Sequence, residues 1–203
     1  MALLKDLAAS RVVIEGVEPL IDGGRFAVKR VENEPLTVTA DIFSDGHEII
    51  AAALVTHGGE VEGLETPFAF IGNDRWGATV RFATPGPYRY SIIAWRDVFG
   101  TWASDTKKKR DAGVDIALEL REGEAILEQA AESGRGSRED AKALKALRAR
   151  VEKFRKLKDE AALYAVFTEA ETIELLRRCG VRANLSRYPV QVPVWVDREA
   201  AGF

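Results

Sequence analysis

The residue types best suited to covalent or acid–base chemistry are sparse in this chain. Cys179 is its one cysteine, and His47 and His57 are its two histidines. A cysteine nucleophile needs a positioned base, and no spacing ties either histidine to Cys179. Cys179 also falls at the end of an expected helix, where the helix dipole disfavours a thiolate. A structural role is the favoured reading. Both histidines fall near expected turns and read as solvated surface groups. Asp22, Asp41, Asp45 and Asp74 stand at no spacing that marks an acid/base pair. Gly23-Gly24 and Gly58-Gly59 lack the pattern of a phosphate loop or dinucleotide fingerprint and read as turns. One cysteine makes no intrachain disulfide and no Cys-based zinc site, and two histidines argue against a multi-His centre. No metal and no cofactor is expected.

Cations and tryptophans remain. Lys107-Lys108-Lys109-Arg110 either holds a phosphate or an acidic partner, or forms a solvated first helical turn; the second is favoured. From Arg138 to Lys158 there are nine Lys/Arg against three Asp/Glu. That face either docks a partner or anionic substrate, or keeps the helix in solution, and solubility is favoured. Trp76, Trp95, Trp102 and Trp195 fall at strand-like segments. Exposed, they offer platforms for pyranose rings. Buried, they are core or interface anchors, which is the favoured reading because tryptophan buries a large area. The candidates for substrate or interface contact are therefore Trp76, Trp95, Trp102, Lys107, Lys108 and Lys109.

The elements that must position these residues follow from length and periodicity. The 203 residues, 46% of them hydrophobic, suffice for one good core or two small ones. They are too few for a (β/α)₈ barrel beside anything else, which takes ~250 residues. Twenty-nine Lys+Arg against 32 Asp+Glu leave a net charge of −3, which disfavours a generic nucleic-acid binder. No apolar run reaches the length of a membrane span. Met1 to Ser10, with Lys5 and Asp6, lacks the apolar core of a signal peptide. A cytoplasmic location is expected, with neither nucleic acid nor membrane as partner.

From Arg11 to about Gly100 the period is two. Leu36, Val38, Ala40 and Ile42 alternate with Thr37, Thr39 and Asp41. Asp45-Gly46 then suggests a tight hairpin leading into a partner strand from Ile49 to Val55. Trp76, Ala78, Val80 and Phe82 mark another strand, and Tyr88 to Trp95 a central one. From about Thr101 the period becomes helical. Ile116, Leu120, Leu127 and Ala130 form one stripe; Ala141, Leu144, Leu147, Val151 and Phe154 form another. Ser137 with Asp140, and Thr168 with Glu171, read as capping boxes. Ile173 and Leu176 follow, and Gly180 reads as a helix stop. Val190, Val192, Val194 and Val196 restore the strand period, with Pro189 and Pro193 suggesting an edge. The expected fold is mixed β and α: an immunoglobulin-like antiparallel β-sandwich (residues 10–100 and 188–198) interrupted by an inserted α-helical bundle (101–187).

Several segments taken in order resemble one family. They are Arg11 to Pro19 followed by Asp22 to Arg30, Val38 to Phe43 leading into Asp45-Gly46-His47, and Asn73-Asp74-Arg75-Trp76. Further on come Pro85 to Tyr90, Phe99-Gly100-Thr101-Trp102, and Tyr188-Pro189 to Glu199. Together they look like the N-terminal module of the bacterial α-1,4-glucan:maltose-1-phosphate maltosyltransferases. The resemblance implies a sandwich with an inserted helical bundle, then a glycoside-hydrolase-family-13-type catalytic barrel after residue 203. It implies transfer of maltosyl from α-maltose 1-phosphate to an α-1,4-glucan with retention, which fits a double displacement. It further implies homodimer support and a share in walling the donor pocket. None of the family's catalytic positions falls in this sequence, so no catalytic residue is assigned and the piece alone is expected to be inactive. The alternatives are a carbohydrate-binding module that tethers the enzyme to glucan, and a stand-alone interaction domain.

Overall fold

The computed structural model describes residues 12–198. The Met1 to Ser10 segment, Arg11 and Glu199, on which parts of the sequence reading fall, lie outside the described residues. The chain forms two compact units, residues 12–96 with 184–198 and residues Asp97–Ala183.

The first unit is a β-sandwich. One sheet runs in the order β1 (Val12–Glu18), β3 (Pro35–Ser44), β7 (Arg75–Arg81), β6 (Ala69–Gly72). The other runs β2 (Val28–Val31), β10 (Val192–Asp197), β8 (Gly86–Asp97), β4 (Ile50–Gly58), β5 (Val61–Pro67), and β9 (Arg182–Arg187) also pairs with β8. The period-two stripes supply the core between the sheets. Leu36, Val38, Ala40 and Ile42 of β3 are buried against Leu54, Tyr90, Ile92, Val192 and Val194 from the other sheet. Each buried Leu, Ile or Val among them contributes about 1.5–3 kcal/mol of apolar burial. The buried Tyr90 hydroxyl donates to the Pro19 carbonyl, and burial raises its pKa.

Three strand expectations are corrected. Asp45-Gly46 is no hairpin: β3 pairs with β1 and β7, whereas β4 pairs with β5 and β8. The segment after β3 therefore carries the chain from one sheet to the other, and neither Asp45 nor Gly46 has a positive φ. The tight hairpin lies at Gly58-Gly59, both with positive φ, between β4 and β5. Second, β10 is not an edge, since it lies between β2 and β8. Its prolines fit because Pro189 precedes the strand and the ladder to β2 begins only at Val194↔Val28, one residue past Pro193. Third, that β2–β10 ladder is parallel, so the six-stranded sheet is mixed.

The second unit contains five described helices: α1 (Val98–Asp111), α2 (Ala117–Glu132), α3 (Arg138–Leu157), α4 (Glu160–Thr168) and α5 (Ala170–Cys179). Their stripes meet in one core that includes Phe99, Trp102, Leu120, Leu127, Leu147, Phe167 and Leu176. The Ser137 box forms as its sequence requires: the Asp140 N–H donates to Ser137 Oγ at 3.1 Å, and the Ser137 N–H to Asp140 Oδ2 at 2.9 Å. Thr168 caps nothing. Its hydroxyl donates back to the Tyr164 and Ala165 carbonyls within α4, and Glu169 takes the cap position of α5 with no side-chain bond to the helix's free N–H groups. In α5 the buried face is Thr172, Leu175, Leu176 and Cys179, and Ile173 is exposed. Ala141 likewise lies outside the buried face of α3, which is Leu144, Leu147 and Val151. Gly180 does stop α5, but at φ −61. A Cβ there would stand 2.3 Å from the Leu176 carbonyl oxygen, so close approach, not a left-handed turn, selects glycine.

Candidate functional site

The basic run is positioned by the start of its helix. The Asp97 carboxylate accepts the Gly100 N–H at 2.8 Å, and the Thr101 hydroxyl donates to the Asp97 carbonyl at 2.8 Å. That cap starts α1 at Val98. Lys108 to Arg110 then fall in its last turn, with Lys107 just before it, correcting the expectation of a first turn, and there cations oppose the negative end of the helix dipole. Each cation also has its own partner. Lys107 pairs with Asp111 at 2.5 Å and Lys108 with Asp105 at 2.9 Å. Lys109 pairs with Glu119 of α2, and the Arg110 guanidinium lies 4.2 Å from the Tyr164 ring centroid. Hydrogen bonding to Asp111 and to Glu119 raises the pKa of Lys107 and of Lys109, and the Lys109 ammonium holds the Glu119 carboxyl below its ordinary value. The run is thus a charge-paired helix end: Lys107 and Lys108 pair within α1, while Lys109 and Arg110 reach α2 and α4.

Trp102 belongs to α1, in the helical unit; the sequence reading groups it with the tryptophans of strand-like segments, although its bundle bounds of 101–187 include it. It is 8% exposed. Its indole N–H donates to the Glu119 carbonyl at 2.7 Å. Phe99 stacks on it with ring centroids 5.4 Å apart, and Phe167 meets it edge-on at 5.2 Å. The helix facing it must carry glycine: a Cβ at Gly123 would lie 2.5 Å from the Trp102 ring. Beside this contact an open recess of about 570 Å³ lies between α1 and α2, lined by Trp102, Thr106, Glu119 and Ile126 among others. Glu119 and Gly123 were missed as site residues. The signal was present, since Gly123 interrupts the Ile116–Leu120–Leu127–Ala130 stripe at a position expected to be apolar.

The other tryptophans belong to the first unit. Trp95 is 7% exposed and packs with Ile93 and Ala53, in a cluster separate from the sandwich core. Trp76 is half-buried, donates to the Ile42 carbonyl at 2.9 Å, and meets Phe70 at 5.2 Å with 69° between the rings. Trp195 is 42% exposed and donates to Asp197 Oδ1 at 2.7 Å. The structure therefore brings Trp102, Lys108 and Lys109 to one recess and leaves Trp76 and Trp95 in the sandwich.

A polar hub in the sandwich was also missed. Arg75 reaches the Gly16 carbonyl at 2.8 Å, Asp41 at 3.1 Å, Glu18 at 2.6 Å and the Thr39 hydroxyl at 2.6 Å. It ties β7 to β1 and β3 across a break in the β1–β3 register. His57 is half-buried and pairs with Glu62 at 2.8 Å, while His47 is exposed. Cys179 is fully buried, and burial together with the nearby Asp140 charge raises its pKa; its thiol is a packing group. Among the described residues no cluster of His, Cys, Asp and Glu has the makings of a metal site, and no helix is long and apolar enough to cross a membrane.

Comparison with known proteins places this architecture. Residues 10–198 match the family described as alpha-1,4-glucan:maltose-1-phosphate maltosyltransferase, domain N/S. Proteins of that name share the sequence throughout. That of Cereibacter sphaeroides is 40% identical over 202 residues, covering 98% of this chain and 29% of the relative. That of Myxococcus xanthus is 37% identical over 199 residues, covering 95% and 29%. That of Pseudomonas aeruginosa is 36% identical over 194 residues, covering 95% and 28%. The chain spans under a third of the length of these curated relatives. The match runs unbroken from the first described strand through the helices to the last strand, and the chain belongs to the α-1,4-glucan:maltose-1-phosphate maltosyltransferase family, of which it carries domain N/S.

Proposed function

We propose that this chain is a non-catalytic module of a maltosyltransferase that extends α-1,4-glucans from α-maltose 1-phosphate in the cytoplasm. In this reading it supports a homodimer and helps form the donor pocket, while a glycoside-hydrolase-family-13-type barrel on the same polypeptide does the chemistry. The observation that carries the reading is the match of residues 10–198 to one domain of that family, while the relatives are more than three times as long. The side chains agree with an architectural role. Cys179 is buried, and Lys107, Lys108 and Lys109 are each held by a carboxylate.

The test compares this chain with the longer polypeptide that includes the barrel. The longer protein is expected to release phosphate from maltose 1-phosphate in the presence of glycogen, and this chain alone is not. Release by this chain alone would refute the non-catalytic role. Sedimentation of the longer protein with and without the module checks its part in assembly. Tethering to glucan through stacking platforms fits less well, since Trp95 and Trp102 are buried and Phe70 and Trp76 are not coplanar. Unretarded migration through a glycogen gel is the expected result.

A further inference from the structure

One side of β10 lies in the core and the other in the open. Val192, Val194 and Val196 are buried between the sheets, so alternation puts Pro193, Trp195 and Asp197 on the outer face. Trp195 is 42% exposed there. Its cross-strand neighbours share that face: Lys29 of β2 on one side and Pro87 of β8 on the other, both exposed. Val31, opposite Asp197, and Arg89, opposite Pro193, are exposed too. The face thus has an apolar centre of Trp195, Pro87, Pro193 and Val31. Lys29, Arg89 and Asp197 form its charged rim.

The indole is also held in place. Its N–H donates to Asp197 Oδ1 at 2.7 Å. The Lys29 ammonium lies 6.0 Å from the ring centroid and 3.9 Å from Asp197 Oδ2. A side chain fixed beforehand loses little freedom when a partner covers it. An aromatic, apolar centre inside a charged rim has the composition of an interface core.

The occupant follows from where β10 leads. The relatives are more than three times as long as this chain. The function proposed above puts a catalytic barrel on the same polypeptide, and β10 is the last described strand. Each residue of a connection spans at most about 3.6 Å, so a domain joined after β10 by a few residues starts beside Trp195. Phe70 and Ile71 are more exposed, at 61% and 63%. They stand, however, on a short edge strand with a break in its register, and its chain turns back into β7.

We propose that the outer face around Trp195 is the joint on which the catalytic barrel of the same polypeptide packs, with Trp195 as its anchor. This rests on the reading of the chain as a module of a longer enzyme. It makes the module a rigid extension of the barrel and not a tethered neighbour.

Hydroxyl-radical footprinting read by mass spectrometry tests the joint on this chain and on the longer polypeptide side by side. Trp195 is expected to be labelled readily in this chain alone and several-fold less in the longer protein, at every protein concentration. Equal labelling in the two overturns the joint. Protection that is lost on dilution assigns the face to a second copy and overturns it as well, as does protection of Phe70 and Ile71 in place of Trp195. Trp195→Ala gives a second reading, with far-UV circular dichroism confirming that each variant is folded. It is expected to speed hydrogen exchange of the β2 and β10 amides more in the longer protein than in this chain alone. Equal acceleration in both marks Trp195 as a packing group of the sheet and overturns its role as anchor. Phosphate release reads the function proposed above separately: release with Trp195 fully labelled keeps that function and removes the joint, and protection without release does the reverse.

Discussion

Each of the two units of this chain is held together internally, and by a different kind of contact. In the sandwich, neighbours in space are remote in sequence: β10 pairs with β2 and β8, and β1 with β3. Its polar interactions converge, as where Arg75 binds four acceptors on β1 and β3. In the helical unit, polar contacts are mostly one to one. Arg148 pairs with Glu128, Arg150 with Glu169 and Arg178 with Asp140. The nine cations of the Arg138–Lys158 segment are in part spent on these neighbours, which qualifies any reading of that face as a free docking surface. The contrast teaches that charge in the helical unit trims a structure whose stability resides in its apolar stripes.

The sharpest way to break this comparison is to remove a stripe residue. Leu127→Ala is expected to cost about 2–5 kcal/mol, because Leu127 is 1% exposed at the centre of the helical core. Hydrogen exchange should show the loss at helical amides; equal loss across β3 and β8 would erase the distinction between the units. Gly123→Ala comes next, at about 1–3 kcal/mol, since the added methyl meets the Trp102 ring at 2.5 Å. Denaturant melts measure it, and a change within error would show that α2 shifts freely.

Extremes of pH separate the units by sign. Hydrogen bonds from Arg178 and the Ser137 backbone push Asp140 down to about 2 from 3.8. Its contribution is therefore complete above pH 3.8 and is lost as pH falls toward 2. Asp140→Asn should remove that acid step in helical unfolding. Tyr90 behaves oppositely: burial raises its pKa above the ordinary 10.0. Its contribution is complete below pH 10 and declines above it, as the unfolded chain ionises first. Tyr90→Phe should flatten that alkaline limb in the sandwich while leaving the acid limb unchanged. The smallest effect is reserved for a surface pair. Arg150→Met should cost no more than ~1 kcal/mol although its pairing with Glu169 is bidentate. A larger loss in urea melts would mean that charge carries more of the helical unit than its stripes do.

Legibility differed between the units in the same way. Strand interiors were readable from alternation, as at Leu36 to Ile42, because one face of β3 meets a core. Strand partners were not, because a turn dipeptide such as Asp45-Gly46 looks alike within a sheet and between sheets. Pro193 misled for a related reason: its missing N–H costs nothing where the neighbouring ladder has yet to begin. In the helices the buried faces were largely readable and the ends were not. Asp97 placed the start of α1 at Val98, well ahead of Lys107, so that the basic run closes the helix instead of opening it. Thr168 bonded to its own helix and left the next one uncapped. The recess was legible only as an anomaly, a glycine and a glutamate where α2 should have been apolar.

The placement of β10 has a temporal consequence. While the polypeptide emerges from the ribosome, β2 and β8 appear early with a slot between them that the last described strand alone can occupy. The helical unit is synthesised in full before that strand arrives. The larger sheet thus stays open along two unpaired margins for the whole of that interval, and among the described residues the sandwich closes only after the helical unit has been made.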